Sequence, residues 1–182
     1  LSLHRQYEEA DRWLGSAIEV QPNWPVAHVE QGLMRWQAGR DEAAMESLRR
    51  AVALDPFNRR AANSLQLLED MRGYATVQTP HFTLRFAPGI DEALVRDMPP
   101  KLEAIHEKVA GRFNWVPAER TTIEVFPDHA RFAVRVVGMP DLHTVAACTG
   151  PVIAMEAPRT SPGQRHRGLY HWEDVVLHEY TH

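Results

Sequence analysis

Up to Gly73 the apolar positions recur every three to four residues, the spacing of amphipathic helices. Two stretches carry the same pattern. Gln6-Tyr7-Glu8-Glu9-Ala10 leads to Ala17-Ile18-Glu19-Val20-Gln21-Pro22, and Arg40-Asp41-Glu42-Ala43-Ala44 leads to Ala51-Val52-Ala53-Leu54-Asp55-Pro56. Pro22 and Pro56 stand 34 positions apart, as do Ala10 and Ala44, Leu14 and Leu48, and Ala17 and Ala51. A fixed period of this length marks helix pairs that bury their apolar faces against neighbouring repeats. The pattern predicts a helix closing before Pro22, a helix pair over 25–58 and one more helix over 59–72, with Ala61, Ala62, Leu65 and Leu68 as its stripe. Gly73 is a stop signal.

Beyond Gly73 the pattern changes to alternation. Phe82, Leu84 and Phe86 alternate with Thr83 and Arg85, which predicts a strand over 81–86. Pro88-Gly89 reads as a turn, and 91–113 as helical. Pro99-Pro100 is expected to split that stretch into two helices, because proline has no N–H and its ring crowds the preceding turn. A second strand is predicted over 121–126, with Ile123 and Val125 set against Thr122 and Glu124, and a short helix over 129–137. Residues 145–155 read as two strands turning near Gly150-Pro151. A polar loop over 158–168 follows, then a final helix over 173–182. Glu173 and Asp174 suit its first turn by opposing the helix dipole. The order predicts an α+β chain, with a helical domain over 1–73 and, over 74–182, a mixed sheet with a long helix beneath it.

Composition narrows the function classes. Apolar residues make up 44% and charged residues 24%, the balance of a soluble globular protein. A formal net charge of −4 gives no basic footprint, so nucleic acid is not an expected partner. No apolar run approaches the roughly 20 residues that cross a bilayer. Cys148 is the single cysteine, which rules out an intrachain disulfide and a cysteine-based zinc site; it is read as a small buried apolar residue. The chain opens on Leu1 within a helical pattern and closes at His182 on a motif that ordinarily lies inside a domain. The expectation is a fragment of a longer protein, with any targeting signal upstream.

The repeats resemble the tetratricopeptide family. Across 25–58, Gly32 matches the small residue where paired helices come closest, Gly39 the turn, Ala44 and Ala51 the small positions of the second helix, and Pro56 its end. The family's aromatic near the start of the first helix is His28 here, and its mid-helix tyrosine is Arg35, with Trp36 beside it to supply bulk. The resemblance implies a concave surface for a peptide or protein partner; the alternative is a spacer packed on the domain that follows.

His178-Glu179-Tyr180-Thr181-His182 is an H-E-x-x-H sequence. Residues four apart share a helix face, so both imidazoles can reach one metal ion, and neutral imidazole suits Zn²⁺. Glu179 lies about 100° round the helix, where it can touch a metal-activated water without ligating the metal. Val175-Val176-Leu177 supply the buried stretch that such a helix needs.

This motif, the strands before it and the repeats resemble the bacterial peptidase MA-like metallohydrolases of the gluzincin group. The resemblance implies a zincin fold, in which an edge strand holds extended peptide beside the zinc helix. It assigns His178 and His182 as ligands and Glu179 as general base, places the third ligand, a glutamate, beyond residue 182, and leans towards the bacterial envelope or periplasm. This fragment by itself is then expected to hold metal weakly and to be inactive. Ala154-Met155-Glu156 resembles the Gly-x-Met-Glu-Asn strand of M1-type aminopeptidases, with Ala157 in place of the Asn. That implies an amine anchor at Glu156. The plainer reading is backbone near Gly150 and Ala154 that pairs with extended substrate. His166 and His171 are read as non-ligands, and Arg159, Arg165 and Arg167 as a solvated loop face. The rival function is a protein-binding scaffold whose zincin-like domain is inactive.

Overall fold

In the computed structural model, residues 6–90, 92–158 and 170–182 are described. The chain is α+β and divides into two compact units, Leu1–Arg72 with Ala133–Leu142, and Gly73–Phe132 with His143–His182.

The first unit is built on α1 (Tyr7–Val20), α2 (Pro25–Gln37), α3 (Asp41–Leu54) and α4 (Arg59–Met71), each packed on the next. Pro25 opens α2 where no amide is needed, and the Asn58 side chain caps α4 by accepting from the Ala61 N–H at 3.1 Å. Ala44, Leu48 and Ala51 are fully buried, and a Cβ on Gly32 would lie 2.6 Å from Leu48 Cγ. Only glycine allows α2 and α3 to approach so closely. Gly39 takes a φ of 75° in the turn between them. Arg35 ties three helices together, donating to Asp11 of α1 at 3.0 Å and to Ser47 of α3 at 2.9 Å. The buried stripe of α4 is Ala61, Ser64, Leu67, Leu68 and Met71, whereas Ala62 and Leu65 are half-buried.

Ala133–Leu142 belongs with these helices although it lies far along the chain. It contains the later residues of α6 (His129–Val137). Arg135 donates to the Trp36 carbonyl at 3.1 Å, with its guanidinium 4.6 Å from the indole centre, and Asn63 donates to the Gly138 carbonyl at 3.2 Å.

The second unit holds a mixed five-stranded sheet in the order β1-β2-β3-β5-β4. Its strands are β1 (Ala75–Gln78), β2 (Phe82–Phe86), β3 (Thr121–Phe126), β4 (Ala146–Cys148) and β5 (Val152–Glu156). β2, β3 and β5 run parallel, and β1 and β4 are antiparallel edges. The parallel step from β2 to β3 crosses through α5 (Glu92–Phe113). Phe82, Leu84, Phe86, Ile123 and Val125 form one core with Met98, Leu102 and Ile105 of α5 and Trp172 and Val176 of α7 (Trp172–Tyr180). Glu124, on the opposite face of β3, is also buried, 3.0 Å from Arg85.

The sequence expectation is corrected at α5, which runs unbroken through Pro99 and Pro100. Met98 and Leu102, fully buried on either side of the pair, fasten both halves to the same core. Pro100 and Arg96 are exposed, so water can serve the Arg96 carbonyl that loses its amide. Among the described residues no helix is long and apolar enough to cross a membrane.

Candidate metal centre

α7 presents two unlike faces. Trp172, Val176 and Tyr180, each four apart, face the core, and Glu173 in the first turn meets Lys101 at 2.7 Å. His178 and His182 are exposed. Their Nε2 atoms converge to 3.2 Å, with ring planes at 83°. Two imidazole nitrogens at roughly 2.0–2.1 Å from one tetrahedral zinc stand about 3.3 Å apart, so the observed pair fits that ion. The helix itself closes at Tyr180. Thr181 N–H donates to the His178 carbonyl at 3.1 Å and His182 N–H to the Glu179 carbonyl at 3.3 Å, a tightening of the last turn.

Glu179 turns towards the sheet. Its Oε2 accepts from the Cys148 N–H at 2.8 Å. Thr149 N–H donates to the Val152 carbonyl and Glu156 N–H to the Val145 carbonyl, so residues 145 and 149 face β5. By antiparallel alternation the backbone groups of Ala146 and Cys148 then point to the open edge. The Ala146 carbonyl accepts from the Thr144 hydroxyl at 3.0 Å. The edge strand and the motif glutamate are thus in direct contact.

Of the other expected substrate positions, Ala154 and Glu156 lie deeper, whereas Gly150 is half-buried. Gly150 forms the β4–β5 turn with a φ of 109°. Ala154 sits on β5 with Glu124 on one side and Ala147 on the other, so its backbone has partners across both flanks. Glu156 is buried, with Oε2 3.1 Å from His129 Nδ1, and its carbonyl accepts from the Tyr170 hydroxyl. Burial, and then the Glu156 charge, hold that hydroxyl above its ordinary pKa. The backbone at the open edge therefore belongs to β4 rather than to Ala154 or Glu156. His171 is the N-cap of α7, at the far end from His182. Arg159, Arg165, His166 and Arg167 lie outside the described residues. Among the described residues no three His, Cys, Asp or Glu side chains gather into a metal-holding group.

A second cluster backs the helix. Glu103 accepts from the His81 backbone N–H at 3.1 Å and meets His81 Nδ1 at 2.6 Å. The His81 and His106 rings stack 3.6 Å apart at 11°, and His106 Nδ1 is 2.8 Å from the Tyr180 hydroxyl. Burial raises the Glu103 pKa, but hydrogen bonds from His81 and Thr79 outweigh it and hold the carboxyl below its ordinary value. No sequence pattern announces this cluster, because its members come from the approach to β2, from α5 and from α7.

His106 titrates below its ordinary 6.5, first through burial and then through His81, with Glu103 and Glu107 pulling the other way. The unfolded chain therefore binds more protons across that window, and stability rises with pH there. The chain is expected to lose stability as pH falls from 6.5 towards the folded value, and His106→Gln to remove that component of the slope. Urea unfolding over a pH series checks this. Identical slopes for both proteins would contradict a neutral buried imidazole.

Comparison with protein-family models, with curated proteins and with solved structures finds no match to this chain.

Proposed function

We propose that the chain carries the metal-holding helix of a zinc-dependent peptide hydrolase. The observation that carries this reading is the convergence of His178 and His182 Nε2 at 3.2 Å, beside a glutamate that touches the open edge of the sheet. His178 and His182 would hold the ion, and the gluzincin resemblance assigns the third ligand to a glutamate beyond residue 182. Bound zinc would acidify an attacking water towards pKa 7 and polarise the scissile carbonyl. Glu179 would serve as the general base, accepting a proton from the attacking water and passing it to the leaving amine. β4 turns backbone groups of Ala146 and Cys148 outward, and an extended substrate would pair with them by taking the place of Glu179 at the Cys148 N–H and of the Thr144 hydroxyl at the Ala146 carbonyl.

The helical unit is read as tetratricopeptide hairpins. The close approach at Gly32, the turn at Gly39 and the fully buried Ala44 and Ala51 support this. A protein partner on their surface, with an inactive second unit, is the alternative function.

Zinc analysis after dialysis separates the two readings. One zinc per chain is expected in a version continued past residue 182, and much weaker retention in this chain alone. A continued version that retains none would end the peptidase reading and leave the scaffold.

A further inference from the structure

The last turn of α7 and the residues after it carry two of the three proposed protein ligands. His182 lies beyond the last helical residue; its N–H donates to the Glu179 carbonyl at 3.3 Å, and both its side chain and that of Thr181 are exposed. Tyr180 is the last side chain of the helix to reach the core. Its ring lies 5.0 Å from that of Phe82, and its hydroxyl meets His106 Nδ1 at 2.8 Å. His106 cannot swing freely, because it is buried on α5 and stacked at 3.6 Å on His81, which Glu103 grips through both ring and backbone. The route from Glu103 to Tyr180 is a run of fixed contacts ending between the two proposed ligands.

We propose that His106, braced by the Glu103–His81 pair, is a positioning residue that holds the Tyr180 hydroxyl and thereby sets the last turn of α7, so that His178 and His182 share one metal ion. This rests on the zinc reading above. Tyr180 itself touches no metal. Its role is to fix the backbone between Glu179 and His182, where a small rotation would separate nitrogens that now stand 3.2 Å from each other. Outer-shell partners of this kind typically change metal affinity by about 10- to 100-fold.

Tyr180→Phe keeps the ring against Phe82 and removes only the hydroxyl. In the protein continued past residue 182, it is expected to weaken zinc about tenfold in chelator competition and to alter the visible spectrum of the cobalt-substituted site, with the melting temperature little changed. His106→Leu, which leaves the hydroxyl its other partner on the Thr121 side chain, should weaken zinc in the same direction but by less, and the double variant should be no worse than Tyr180→Phe alone. His106→Asn, which keeps a polar atom near the place of Nδ1, should recover some of the affinity. Zinc affinity and cobalt spectrum unchanged in Tyr180→Phe would overturn the proposal. If the unsubstituted protein takes no zinc, the metal reading fails on its own account. The positioning role is then decided by amide exchange at Thr181 and His182, which should quicken about tenfold in Tyr180→Phe if the hydroxyl holds the turn, and otherwise not.

Discussion

Glu179→Gln in the zinc-loaded protein is expected to lower kcat/KM for peptide cleavage by about 10²- to 10⁴-fold, the usual contribution of a positioned general base, while zinc content stays at the unsubstituted level. The substitution is unusually clean here. Glutamine has the same length, and its amide oxygen can still accept from the Cys148 N–H that Glu179 engages at 2.8 Å. The side chain therefore keeps its anchor and loses only its capacity to take a proton. Melting temperature should be unchanged, which removes misfolding as an explanation. A Gln variant that cleaves at full rate would strip Glu179 of its proposed role and leave the histidines as a metal site without hydrolytic chemistry.

His178→Ala acts on the ion instead of the proton. Structural zinc sites with four ligands hold the metal with about 10–16 kcal/mol of apparent free energy, so one ligand accounts for about 3 kcal/mol, more than ~100-fold in Kd. His182→Ala should cost a comparable amount, because the two Nε2 atoms, 3.2 Å apart, would share one ion. Neither change should lower thermal stability of the metal-free protein, since both side chains are exposed and leave no cavity. Competition with a chromophoric chelator reads the loss directly. An affinity for zinc that survives either substitution would place the ion elsewhere, and the convergence of the two rings would then be only a hydrogen bond between neighbours.

The elements of this fold that could be read along the chain are those whose signal is local. The repeated Ala10/Ala44 and Ala17/Ala51 positions gave the helices, and the alternation over Phe82–Phe86 and Thr121–Phe126 gave two strands nearly to the residue. β1 escaped because Ala75–Gln78 is short and largely exposed, so burial leaves no alternation in it to read. Pro99-Pro100 misled because helix-breaking is a backbone effect, and here the core contacts of Met98 and Leu102 override it. The alternation sets Glu124 on the face opposite Ile123 and Val125, and it does not show that β3 lies inside the sheet with that face covered too.

The candidate site divides in the same way. His178, Glu179 and His182 lie within one turn or so of helix, so their spacing is visible in the sequence. The contact between Glu179 and Cys148 depends on β4 lying outside β5, a fact of strand order that no local pattern carries. That order also moved the open backbone from Ala154 to its neighbour strand. His106 belongs to no motif along the chain, and its link to Tyr180 spans 74 positions of sequence.

The bond between Glu179 and the edge strand has a consequence for how a peptide would enter. In the resting arrangement the carboxylate occupies the outward amide of Cys148, the same amide that an arriving peptide carbonyl would seek. Under the hydrolase reading the two acceptors compete for one donor, and a peptide that wins it frees the carboxylate beside the scissile bond. Arrival of substrate and release of the base are then one exchange. Peptides too short to pair at Cys148 would bind without freeing the base and would persist as occupants rather than as substrates.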